Sequence, residues 1–153
     1  MTGAILLKRA AHDGFAAVNR HDVEALLERY HKDAVFEFPG DTVLSGRHVG
    51  KAEIRGFYER WFELMPEVRF TIEHTAVEDI LALSATNSGY VEWEVDSTDR
   101  EGRRYHATGI TKFRVEDGKI RHAKDYIFDQ DVVAAAYPDK GADVADMSVP
   151  TAR

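Results

Sequence analysis

The stretch from Arg103 to Asp129 constrains the chain most. Two runs of alternating and β-branched residues there flank Glu116-Asp117-Gly118-Lys119. A two-residue hairpin turn needs left-handed backbone, which glycine adopts freely and aspartate tolerates, so Asp-Gly between such runs is the strongest short-range hairpin signal. The reading is a long antiparallel hairpin with strands at 104–115 and 119–128. Because strand side chains alternate sides, Asp125 shares a face with Ala123 and Ile127. A carboxylate on an apolar face is the group in this chain that most invites a chemical role.

The elements before the hairpin follow from periodicity. Leu7, Ala10, Ala11, Gly14, Phe15 and Val18 recur at helical spacing and predict an amphipathic helix over 4–19. Asp22 is a good N-cap for a second helix, with Val23, Leu26, Leu27 and Tyr30 on its apolar face. Residues 34–38 alternate as a short strand stopped by Pro39-Gly40, with Phe36 and Phe38 on one face, and 42–46 reads as a return turn. A third helix starts at Gly50, carries Ile54, Phe57, Tyr58, Trp61, Phe62 and Met65, and ends at Pro66. Alternation predicts strands over 67–77 and 90–96, while 79–89 reads equally as strand, helical turn or loop. A last helical turn is expected over 132–137. The layout is one domain over 1–137, followed by a flexible tail over 138–153.

Helices followed by a meander of strands, with one helix inserted, make an α+β layout in which a curved antiparallel sheet wraps a helical layer. With 153 residues the chain is long enough to close a core around a pocket. The absence of cysteine removes disulfides, thiolate metal sites and a cysteine nucleophile together. A net charge of −7 without a dense Lys/Arg cluster argues against a nucleic-acid partner. No apolar run suits a membrane span or a signal peptide, so a cytoplasmic location is expected. His12, His21, His31, His48, His74, His106 and His122 are scattered without metal-ligand spacing, and no phosphate loop or nucleophile elbow is present. Neither metal nor cofactor is expected.

Several motifs together resemble the nuclear transport factor 2-like superfamily, in its SnoaL-like and ketosteroid-isomerase-like branch. They are Val18-Asn19 with Asp22, the Lys32 to Phe36 stretch, Gly50 to Arg55, Gly109 with Phe113, Asp117 to Ile120, and Asp125-Tyr126. The resemblance spans nearly all of 5–130. It implies a cystatin-like α+β barrel, in which a curved antiparallel sheet wraps three helices around a cone-shaped pocket, and a homodimer formed through the sheet. The positions matching the steroid isomerases' catalytic residues hold Gly14, Phe38 and Thr111, which excludes isomerisation by that mechanism. Against limonene-epoxide-hydrolase relatives, the first-strand pair is Phe36 and Phe38, the middle arginine/acid pair is Glu92 and Glu94, and the last is Asp125-Tyr126; Asp125 matches outright, Glu94 in kind, and the arginine is lost. Polyketide cyclases of the family also place an acid/base aspartate late in the sheet, a role that Asp125 could fill.

Asp125 is either a carboxylate in an apolar cavity, where its pKa rises toward neutrality, or a member of a structural network. Glu92 and Glu94 share one strand face, and Val91, Trp93 and Val95 share the other. If the glutamates face the pocket they join Asp125 in a multi-carboxylate site; if Trp93 does, they are solvated. The orientation of Trp93 decides.

The expected function is therefore a cofactor-independent acid/base enzyme acting on a small apolar organic molecule, by isomerisation, cyclisation, dehydration or addition of water. Asp125 is the expected catalytic group, with Glu94 or Glu92 as a second proton carrier. Phe15, Phe36, Phe38, Tyr58, Trp61, Phe62, Tyr105 and Thr111 are the expected substrate-binding wall. The alternative is a non-catalytic binding or dimerisation module of the same fold.

Overall fold

The computed structural model describes residues 3–79, 81 and 86–141. Four helices and six strands follow the order α1 (Gly3–Asn19), α2 (Val23–Arg29), β1 (Tyr30–Phe38), β2 (Gly46–Val49), α3 (Gly50–Leu64), β3 (Glu67–Val77), β4 (Thr86–Thr98), β5 (Arg104–Glu116), β6 (Lys119–Ile127) and α4 (Gln130–Ala136). The strands form one curved sheet in the order β2-β1-β6-β5-β4-β3. The expected hairpin is β5–β6, and its turn places Asp117 at φ 49° and Gly118 at φ 75°. Both central residues are thus left-handed, as the turn chemistry requires.

The sheet differs from the expected one in two ways. It is mixed, because β1 runs parallel to β6 while every other pair is antiparallel. It is also open, because β2 and β3 remain its two edges. Residues Gly46–Val49, next to the expected return turn, form the short edge strand β2 against β1. Tyr30 opens β1 instead of closing α2, since its backbone is already extended at φ −89°, ψ 141°. Within 79–89, Glu78 and Asp79 bond Ser88 and Asn87 and β4 starts at Thr86; residues 80 and 82–85 lie outside the described residues. Of the expected tail, Pro138 accepts from Val43 N–H and Asp139 bridges Thr42, whereas 142–153 lie outside the described residues.

The helices cover one face of the sheet. α1 packs against β3 and α3 against β1. Asp22 caps α2 by accepting the Ala25 N–H at 3.0 Å. Asn19, at the end of α1, donates its side-chain amide to Phe70 O at 3.0 Å and accepts Phe70 N–H at 2.7 Å. One side chain therefore imitates a neighbouring strand and blunts the open edge at β3. The core between the layers is aromatic: Phe36 and Phe57 meet edge-on with centroids 4.6 Å apart, and Phe70 meets Trp93 edge-on at 5.1 Å. Each such pair contributes about 0.5–1.5 kcal/mol beyond its buried area. No described helix is long and apolar enough to cross a membrane.

Candidate functional site

A cavity of about 340 Å³ lies between the helices and the covered face of the sheet. Alternation on β4 sets its inner face: Val91, fully buried, lines the cavity, and Trp93, 2% exposed, points to the same side. Glu92 and Glu94 accordingly point outward, away from the cavity. Glu92 accepts from His74 Nδ1 at 2.7 Å, and Glu94 lies 3.9 Å from His106 Nε2, all on the solvent side. The structure does not bring them to Asp125, because the helices cover the face that carries Trp93.

Asp125 lies on the inner face of β6 and lines the cavity. Its neighbour on β5 is Thr111, in direct register. Thr111 Oγ1 stands 2.6 Å from Asp125 Oδ1 and 2.9 Å from Trp93 Nε1. The indole can only donate, so the threonine accepts from it and gives its own proton to the carboxylate. Among the described residues no donor reaches Asp125 Oδ2, which is left to the cavity. The carboxyl retains some accessible surface because it faces the cavity. Burial raises its pKa from 3.8 to about 7, with the Thr111 bond pulling the other way.

A second polar pair lines the same cavity. The hydroxyls of Tyr30 and Tyr58 are 3.0 Å apart. Burial raises both phenol pKa values, with the Asp125 charge adding to the rise, so both stay protonated near neutrality. One bond between two hydroxyls uses one proton. The other remains for a third group.

Of the expected wall, Phe15, Phe36, Tyr58, Trp61 and Thr111 line the cavity. Phe38, Phe62 and Tyr105 do not. Phe38 packs beneath it on Phe57 and Tyr137, Phe62 stacks on His21, and the Tyr105 hydroxyl reaches Asp99 at the β4–β5 turn, 3.2 Å away. Phe38 and Tyr105 sit too far along their strands from the lining residues Phe36 and Thr111, whereas Phe62 follows Trp61 directly on α3 and turns toward His21. Sequence reasoning missed Tyr30, which reads as helical by spacing, and Arg29 with Lys119 at the cavity's open end. A basic residue ending a helix reads first as a partner of the helix dipole.

An open curved sheet with helices closed over an aromatic cavity, and the Asp125 carboxylate on its inner wall, defines an α+β pocket class. The SnoaL-like domain family model matches residues 11–123, and the chain belongs to that family. No curated protein sequence matches significantly. Solved structures share the nuclear transport factor 2-like fold. A protein from a soil-derived mobile gene cassette is 18% identical with a TM-score of 0.77, over 88% of this chain and 98% of that one. SalBIII, described as an epoxide hydrolase/cyclase-like enzyme in pyran ring formation in the polyether salinomycin, is 21% identical with a TM-score of 0.69, over 86% and 97%. TerC, co-crystallised with polyporic acid, is 19% identical with a TM-score of 0.63, over 77% and 88%.

Proposed function

We propose that this protein is a cofactor-independent acid/base enzyme for a small, mostly apolar organic molecule, with Asp125 as the proton carrier. The observation that carries this reading is the Asp125 carboxyl itself: one oxygen held by Thr111, the other open to an aromatic cavity. A pKa of about 7 populates both forms near neutrality, so the same group can take a proton from one atom and return it to another. The aromatic walls hold the substrate in one orientation and keep water from the exchange. The spare hydroxyl proton of Tyr30 and Tyr58 suits a substrate oxygen that gains negative charge as Asp125 removes a neighbouring proton. Isomerisation, cyclisation, dehydration and water addition all use these parts. The likeness to SalBIII and TerC is one of fold and selects none of them.

Thermal shift against terpenoid, polyketide and steroid-like compounds finds the ligand class, and turnover of the hits by Asp125→Asn tests the role. Retained binding with turnover reduced at least about a hundredfold is expected for a positioned proton carrier. Unchanged turnover removes Asp125 as catalyst. Binding without turnover by the unmodified protein supports the non-catalytic alternative.

A further inference from the structure

We infer that the open end of the cavity is an anion subsite, in which Arg29, with Lys119 beside it, takes the carboxylate of a substrate whose aromatic or alicyclic body fills the cavity. This rests on the small-molecule reading above and adds the substrate's charge and orientation. Arg29 closes α2, and its side chain lines the mouth. Its contacts there are weak. Nη1 reaches Ala10 O at 3.5 Å, Nη2 stands 3.5 Å from the half-exposed Asp13 carboxylate, and the buried Nε–H has no partner. Ordinary guanidinium bonds to carboxylates are about 2.7–2.9 Å long, so these contacts leave most of the fork's capacity unused.

Lys119, the first residue of β6, lines the same mouth and donates to the Glu28 backbone carbonyl. Among the described residues no carboxylate pairs with it. The opposing charges here are the Asp13 carboxylate already named and Glu28, an exposed residue that lines the same mouth. Further in, the cavity is apolar up to Thr111, Asp125 and the two tyrosines. A molecule with an anionic end therefore has one favourable orientation: the charge at Arg29, away from Asp125, and the opposite end against the carboxyl. Structurally, Arg29 also ties α2 to α1, and a test must separate the two roles.

Calorimetric titration with naphthoate and with methyl naphthoate, which has the same body without the charge, makes that separation. The protein is expected to bind the acid about tenfold tighter than the ester, as a charge-assisted bond provides. Arg29→Gln is expected to lose that preference and keep the ester affinity, Arg29→Lys to retain part of it, and Lys119→Gln to reduce it. Equal affinities for acid and ester in the unmodified protein overturn the subsite alone. Equal weakening of both ligands by Arg29→Gln, or a full preference surviving in it, likewise assigns Arg29 to the helix contact. If neither compound binds, the subsite and the apolar-cavity reading fall together.

Discussion

Thr111 and Asp125 face each other across the β5–β6 hairpin, with the hydroxyl 2.6 Å from the carboxylate, and the indole of Trp93 holds that hydroxyl in its donating direction. The pair sets the proton affinity of the site from two sides. Burial pushes the carboxyl up to about 7, and the Thr111 bond restrains it. Thr111→Val removes the restraint, so the Asp125 titration should move above that value. It also leaves the Trp93 N–H without its acceptor, at a cost of about 1–3 kcal/mol. A carboxyl titration of the variant followed by NMR, with a urea melt beside it, checks both.

Asp125 should cost the fold stability above neutrality. Its pKa is raised on folding from 3.8 to about 7, so between those values the native state holds a proton that the unfolded chain has released. Stability then falls as pH rises from about 4 to about 7 and is flat beyond. Asp125→Asn keeps an oxygen for Thr111 and removes the charge. It should match the parent near pH 4 and exceed it above pH 7 by on the order of 1–3 kcal/mol. Urea melts across that range measure the divergence; parallel curves would contradict it.

Gly109 should not tolerate a methyl group. A Cβ there would lie 2.5 Å from Tyr126 O and 2.6 Å from the Trp93 ring. The carbonyl belongs to the paired strand and cannot yield, so Gly109→Ala should destabilise by about 1–3 kcal/mol and tilt the indole off Thr111. Thermal melts report the first effect and near-UV circular dichroism of the tryptophans the second.

Glu92→Gln and Glu94→Gln should leave ligand binding and turnover unchanged, and stability within about 0.5 kcal/mol. Both side chains lie on the solvent side of β4 beside His74 and His106. Steady-state kinetics on any substrate found, or ligand titration alone, tests this; a tenfold loss in either variant would place a glutamate at the site after all.

What the chain discloses locally and what it conceals divide along physical lines. The Asp-Gly turn, the strand over Glu67–Val77 and the aromatic stripe of α3 are written in short-range chemistry and periodicity, and the structure has them where the residues indicate. The parallel pairing of β1 with β6 joins residues as distant as Val35 and His122, and a period of two says nothing about which strand lies alongside. The orientation of β4 was equally hidden. Glu92 with Glu94 and Val91 with Trp93 alternate with the same period, and only the position of the helical layer selects the inner stripe. Tyr30 escaped because its spacing continues α2 while its backbone has already turned into β1. Arg29 escaped because nothing local distinguishes a helix-terminal arginine from one at a cavity mouth.

The central claim is that Asp125 carries an exchangeable proton near neutral pH inside the cavity. The most direct measurement is the carboxyl carbon titration of Asp125 by NMR in the unliganded protein, assigned by its disappearance in Asp125→Asn. A midpoint near 7 is predicted. A midpoint near 4, the ordinary carboxyl value, would contradict the account, because the group would then be a solvated anion with no proton to give.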